Sequence, residues 1–431
     1  MKLLERLSKC WTGSEDPFML YRSHSLKFSQ VASEQPVDLS QINQGDVVAL
    51  IGDFDPSSIL TLLRLIDLGA VIVPLTVETR HEHEYFFKAA LVDVIIYNGS
   101  VTRRTHTQTH PLIASLRLSK HAGLVLFSTG TTGRPKAILH DFTVFLKRFE
   151  TPRVPLRTLN FLLFDHIGGI NTLLHTLFNR GVVVVLETRT VTSVLETCRK
   201  FSVEVLPTTP TFLRLMLMSG MIPDQIPASL KLITYGTERM DQPTLDELCR
   251  RLPNVDFRQT FGMSELGIVR VKSEARNSLF MKIGGEGVQT KVIHQVLHIH
   301  SENRMLGYLN TTSPFDSEGW YDTNDIVEVK DGYYKITGRL GEMINVGGLK
   351  FMASEIERVA LAFPNVYLVQ AIAKQNPITG QHVELSVQPS TEGAVDKQLL
   401  LTFLKENLQP HMVPKRIRLE SVAVGHRFKK A

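Results

Sequence analysis

Short apolar runs punctuate the first half of the chain. They fall at residues 47–51, 70–74, 94–97, 124–127, 161–164, 182–186, 203–206 and 230–235. Each is short and rich in Val, Ile, Leu or Phe, so each reads as a buried strand. Between most of them apolar residues recur on a helical period. Residues 59–68 are the clearest case, and the turn at 53–58 carries helix-start residues. Strands alternating with helices predict a parallel sheet covered on both faces. The rhythm changes over residues 286–338, where helical periodicity fades and alternating segments such as 294–300 appear. His294, His298 and His300 share one parity, which predicts one shared strand face. We read that face as solvated rather than metal-binding, because no carboxylate or cysteine pattern accompanies it. A strand over 333–337 follows. Beyond it Ser354 reads as a helix cap. Strands at 366–373, 382–388 and 415–420 and a helix at 396–407 complete the pattern.

Composition narrows this picture. A chain of 431 residues exceeds one ordinary core and suggests about two or three domains. Its 48 basic and 43 acidic residues leave a formal charge of +5, spread along the chain. That mild excess suits anionic small molecules or an acidic carrier protein as well as nucleic acid, so by itself it decides nothing; no nucleic-acid partner is expected. Cys10, Cys198 and Cys249 are odd in number and lack Cys-x-x-Cys spacing, which argues against a disulfide framework or a zinc site and for a reducing compartment. The first residues mix Lys2, Glu5, Arg6 and Lys9 with leucines, an amphipathic segment rather than a signal peptide. No run reaches the length of a transmembrane segment. The expected location is cytoplasmic, with a weak membrane contact open to the first segment.

The candidate chemistry starts where the run at 124–127 stops. Residues 128–136 read Ser-Thr-Gly-Thr-Thr-Gly-Arg-Pro-Lys. Gly130 and Gly133 permit a tight fold-back. Backbone N–H groups and the hydroxyls of Ser128, Thr129, Thr131 and Thr132 can then point into one concavity, with Lys136 as a point charge at its rim. That is a phosphate cradle. It is not the common P-loop, which needs Gly-Lys followed by Ser or Thr.

This loop resembles that of the adenylate-forming superfamily of AMP-dependent synthetases and ligases. The superfamily includes acyl-CoA synthetases, adenylation domains of nonribosomal peptide synthetases and firefly luciferase. Other stretches resemble its further motifs in order. Phe164-Asp165-His166-Ile167-Gly168-Gly169 matches a place where a His or aromatic residue touches the carboxylate substrate, which implies that role for His166. Tyr235-Gly236-Thr237-Glu238 matches the turn placed near the adenine and acyl groups. Phe261-Gly262-Met263-Ser264-Glu265 matches aromatic-Gly-x-Thr-Glu, with Ser264 keeping the hydroxyl. The resemblance implies that Phe261 stacks on adenine, Ser264 contacts phosphate and Glu265 holds Mg²⁺. Gly319-Trp320-Tyr321-Asp322-Thr323-Asn324-Asp325 matches the motif whose Asp holds the ribose, here Asp325. Asn324 stands where Gly is usual. Arg339 matches a phosphate and ribose contact, and Gly341 the hinge position. The family's last lysine aligns with Lys430 when the tail is counted without gaps. Lys429 fills the usual Gly position, and a gapped alignment on Gly425 would select His426 instead.

The resemblance covers roughly residues 44–430 and describes a compact member. It implies an α/β fold: a large multi-sheet α/β N-terminal domain over 1–340 and a small mobile α+β C-terminal domain over 341–431. It implies ATP-dependent activation of a small-molecule carboxylate through an acyl-adenylate, then transfer to a thiol, as in an acyl-CoA synthetase. ATP, Mg²⁺ and coenzyme A, or the phosphopantetheine of an acyl or peptidyl carrier protein, are the implied cofactors and partners. Two alternatives stand beside it. One is an adenylating enzyme that loads a carrier protein or a non-thiol acceptor. The other is a nucleotide-binding homologue without catalysis.

Overall fold

The computed structural model describes residues 2–31, 33–128 and 134–425. Among these residues four sheets form. The strands predicted for the first half do not make one sheet. They divide between two, because an apolar run marks a strand without marking its partner.

The first sheet has the strand order Gly307–Tyr308, Ala137–Asp141, Gly123–Phe127, Val71–Leu75, Val47–Ile51, Val94–Tyr97, Ser100–Arg103. Its centre is parallel, and Ala137–Asp141 returns antiparallel to Gly123–Phe127. The second runs Asp256–Gln259, Leu232–Tyr235, Val205–Thr208, Arg157–Leu159, Val182–Val184, Pro17–Tyr21, His24–Lys27. One expectation fails here. Residues 161–164 are not a strand; the strand is Arg157–Leu159. Phe161 and Phe164 are buried all the same. Their apolar character reflects a turn tucked into the core, where Phe161 N–H donates back to Leu159 O at 3.0 Å.

Strand alternation sets the layers. Val48 and Leu50 face a core shared between both sheets, while Val47 and Ala49 face the opposite side. Helices Pro56–Leu68 and Ile167–Phe178 fill the shared core. The second of these is apolar nearly all round, as a helix between two sheets must be. Asp55 caps the first, its carboxylate accepting from Ser58 N–H, and Gly69 ends it at φ 85°. The N-terminal helix Leu3–Trp11 joins the same core. It buries Leu3, Leu7 and Trp11, and the Trp11 indole donates to Leu177 O at 2.9 Å. The apolar face that the sequence left open to a membrane is therefore covered by protein.

The third sheet runs from Phe261–Met263 at one edge to Val288–Ile293 at the other. His294 and Gln295 form the turn between Val288–Ile293 and Val296–Ser301, both at positive φ. His294 thus leaves the face that His298 and His300 share, and the expected trio does not form. The fourth sheet joins Met343–Val346, Leu349–Met352, Val366–Asn376, Gly380–Pro389 and Arg416–Leu419 around a core of its own. Helix Ala353–Leu361 starts one residue before the expected cap. Met352 holds the cap position, its N–H donating to Glu355 Oε1 at 2.9 Å. Ser354 instead donates to Thr337 O at 2.8 Å.

Candidate active site

The loop between strands Gly123–Phe127 and Ala137–Asp141 is closed at its base by two bonds. Ser128 N–H donates to Lys136 O at 3.1 Å, and Lys136 N–H donates to Ser128 Oγ at 3.2 Å. Thr129, Gly130, Thr131, Thr132 and Gly133 lie outside the described residues, as does Lys430 with Lys429 and His426. The loop exit is held from two sides. Tyr85 Oη donates to Pro135 O at 2.8 Å, and Asn310 donates to the same oxygen at 3.1 Å while accepting from Ala137 N–H. The exposed Lys136 ammonium sits 5.1 Å from the centre of the Tyr308 ring.

Tyr308 ties this loop to the 261–265 motif. Its phenol donates to Glu265 Oε1 at 2.8 Å. Burial and the Glu265 carboxylate both push that phenol far above its ordinary value, so it stays a donor. His140 makes a second tie. It is buried, and its Nε2 donates to Ser264 O at 2.6 Å. Burial pushes its imidazole down to about 4, so it is neutral near pH 7. Gly262 is required where it stands, because a Cβ would lie 2.7 Å from Gly267 O and 2.9 Å from Ile268 Cα. Met263 and Ser264 are half-buried beside it. Phe261 packs with Leu266 and Val269 and is only 7% exposed. Most of its ring is therefore core rather than ligand surface.

Asp325 and Arg339 face each other across adjacent strands. Arg339 Nε donates to Asp325 Oδ1 at 2.6 Å. Burial raises the Asp325 carboxyl above its ordinary value, against the pull of Arg339. Asn324 takes the left-handed conformation at φ 56° that its place in the motif asks for. Tyr321 lies between this pair, Tyr308 and Glu265. The two halves of the motif set thus meet through tyrosines.

At the end of strand Leu232–Tyr235 the expected residues separate. Tyr235 is 1% exposed, and its ring lies in the core on the side of Ile233. It serves the turn through its carbonyl, which accepts from Thr260 N–H at 2.7 Å. Glu238 turns away to cap a helix, Oε1 accepting from Thr211 N–H at 2.7 Å. Gly236 and Thr237 remain at the turn. A Cβ at Gly236 would lie 2.1 Å from Thr260 Oγ1. Thr237 stands at φ 70° on the wall of a cavity of about 430 Å³. That cavity runs between the second sheet, helix Ile167–Phe178 and strand Gly267–Ser273. Thr208 Oγ1, Thr237 Oγ1 and Gln259 Oε1 line it buried and without a hydrogen-bond partner among the described residues. Buried polar atoms left so are costly, and they fit a polar ligand that supplies the missing bonds. His166 does not join this wall; Gly168 does. His166 instead caps its helix, Nδ1 accepting from Gly168 N–H at 3.0 Å.

Sequence reasoning missed Tyr308, His140, Asn310 and Tyr85. The signal for two of them was the Gly307-Tyr308-Leu309-Asn310 run, a glycine-aromatic pair that pairs with the strand leaving the phosphate loop. For Mg²⁺ the fit is sound. Glu265 offers a carboxylate beside the loop, and such sites use one or two carboxylates plus substrate phosphates.

Residues 38–293 match the AMP-binding enzyme family. The chain belongs to that family. Its fold is that of the adenylate-forming enzymes. It superposes on the anthranilate CoA ligase AuaEII in complex with anthranoyl-AMP with a TM-score of 0.82, covering 100% of this chain and 95% of that one at 17% identity. It is 24% identical to 4-coumarate--CoA ligase-like 3 of Oryza sativa subsp. japonica, over 68% of this chain and 55% of that protein. It is 25% identical to the medium/long-chain-fatty-acid--[acyl-carrier-protein] ligase FadD10 of Mycobacterium tuberculosis, over 81% of this chain and 77% of that protein. The chain spans 55% to 62% of the length of the first curated relatives it matches.

Proposed function

We propose that this chain activates a carboxylic acid with ATP as an acyl-adenylate and passes the acyl group to a thiol. The observation that carries the reading is the convergence just described. The Tyr308 ring joins the loop base at Ser128 and Lys136 to Glu265, Asp325 pairs with Arg339, and Gln259 and Thr260, just before the 261–265 motif, line a cavity with buried polar atoms that have no partner among the described residues. A carboxylate oxygen attacks the α-phosphorus of ATP, and pyrophosphate leaves. A thiolate sulfur then attacks the acyl carbon, and AMP leaves. The chain supplies positioning and charge: Lys136 and the loop donors for the phosphates, and Asp325 with Arg339 for the ribose. Mg²⁺ held by Glu265 would neutralise the charge that gathers on pyrophosphate. Lys430 is assigned to the carboxylate and the α-phosphate.

The domain reading supports this scheme. Residues 1–340 form the adenylating body and 341–431 a mobile unit hinged near Gly341. Gly341 lies between the strands Tyr333–Arg339 and Met343–Val346, and a side chain there would meet open space. The acceptor is coenzyme A; carrier phosphopantetheine is the alternative that the likeness to an acyl-carrier-protein ligase keeps in view. Among the described residues no helix is long and apolar enough to cross a membrane.

Product analysis tests the proposal. The protein is incubated with ATP, Mg²⁺, a panel of acids and either coenzyme A or a holo carrier protein. AMP, pyrophosphate and an acyl thioester on coenzyme A are the expected products. A thioester on the carrier alone moves the acceptor, and AMP with an amide or ester removes the thiol step.

A further inference from the structure

The cavity beside Thr237 is unusual in its charge. Arg148, Arg153, Arg258 and Arg270 line it, and among the described residues no Asp or Glu does. Arg153, Arg258 and Arg270 are exposed at its edge, and Arg258 is paired with Asp256. Arg148 is different. Its guanidinium is held between the Phe145 ring, 4.4 Å away, and the backbone of Gly267. A Cβ at Gly267 would come within 2.5 Å of Arg148 Nη2, so the turn after Glu265 leaves room for this cation only as glycine.

Its hydrogen bonding is incomplete. Nη1 reaches Asn171 Oδ1 and Ile268 O, both at a long 3.4 Å. Nε and Nη2 are withdrawn from water with no partner among the described residues. Burial lowers the guanidinium to about 10, which leaves it charged near pH 7. A buried cation with unused donors and no carboxylate beside it is unstable as it stands, and an anion that enters the cavity completes it. His175, on the same wall, cannot serve: burial and Arg153 push it down to about 4, so it is neutral. The walls between are largely apolar, with Leu162, Val205, Pro207, Leu232 and Ile268.

We infer that the acid this chain activates carries a second anionic group at its far end, such as a distal carboxylate, which Arg148 receives. The inference rests on the proposed adenylation, since it assigns the cavity to the acyl part of the substrate. The reacting carboxylate lies toward the Thr237 turn and the 261–265 motif. The apolar spacer crosses the cavity floor, and Arg148 reads the other end. A neutral acid of the same length leaves Arg148 unpaired, and a buried polar site rejects such an analogue strongly.

Matched acid pairs test this. ATP–pyrophosphate exchange is measured in the wild-type protein with dicarboxylic acids and with their monomethyl esters, aliphatic and aromatic, over a range of spacer lengths. At one spacer length the diacid should exceed its ester in kcat/KM by about 100-fold or more. In Arg148→Met that ratio should collapse to about one, and Arg148→Lys should recover part of it. Wild-type selectivity is read without any variant, so a misfolded variant does not shelter the inference. Equal or better use of the neutral esters at every length overturns it, as does an unchanged ratio in folded Arg148→Met. Exchange with simple monoacids alone overturns the distal anion but leaves adenylation standing. No exchange with any acid, in protein that binds ATP, overturns the adenylation reading itself.

Discussion

Two sides of the same cleft treat their polar groups in opposite ways. On the side of the third sheet the charged motif residues and the Ser264 carbonyl have partners at rest. Asp325 holds Arg339, Glu265 holds Tyr308, and Ser264 receives His140. Across the cavity Thr208, Thr237 and Gln259 by the second sheet, and Arg148 between helix Ile167–Phe178 and strand Gly267–Ser273, have buried atoms with no partner among the described residues. The first side is built to stand alone and must exchange partners when a nucleotide arrives. The second carries unmet bonds that a ligand must supply. Stability therefore resides mainly on the first side and ligand selection on the second.

Asp325→Ala breaks the satisfied side most severely. It removes the Arg339 partner and the expected ribose acceptor together. Two charge-assisted bonds are lost from the bound state, so ATP–pyrophosphate exchange should fall roughly 100-fold. Steady-state exchange kinetics check this; a variant within about threefold of wild type would mean that Asp325 does not touch the nucleotide. The pH response comes next. His140 is depressed in the folded protein to about 4, so the unfolded chain binds more protons between about pH 6.5 and 4. Its contribution to stability is whole above about pH 6.5 and is lost as the pH falls toward about 4. The loss is up to about 3 kcal/mol, with His175 titrating in the same window. Urea unfolding at several pH values measures this, and His140→Gln should flatten the slope.

Filling the open side is the next test. Gly236→Ala puts a methyl group against Thr260 and should cost about 1–3 kcal/mol. The smallest effects give the sharpest contrast. Tyr308→Phe removes a donor to a carboxylate and should destabilise by about 1–2 kcal/mol. Thr208→Val removes an oxygen with no partner and should be neutral or stabilising within about 0.5 kcal/mol. Matching losses in the two variants, by thermal or urea unfolding, would erase the distinction between the two sides.

The same contrast explains what could be read in advance. Glu265, Asp325 and Arg339 were legible because each belongs to a contiguous motif whose own turn or strand positions it. The left-handed Asn324 was legible for the same reason. Tyr308 and His140 were not. Their roles come from strand pairing between Gly307–Tyr308 and Ala137–Asp141, and sequence spacing says nothing of partners. Tyr235 misled for a different reason. It ends a strand beside the cleft, yet it shares parity with Ile233, and that parity sends its ring into the core. Glu238 was drawn off by the helix start at Thr211, a competitor 27 residues away in the chain. Arg148 sits in no motif; only the cavity reveals it.

The most direct test of the central claim is carboxylate-dependent ATP–pyrophosphate exchange in the unaltered protein, with and without Mg²⁺. Exchange should need both Mg²⁺ and an added acid and be independent of any thiol. ATP binding without exchange, across aliphatic, aromatic, hydroxylated and dicarboxylic acids, would contradict it.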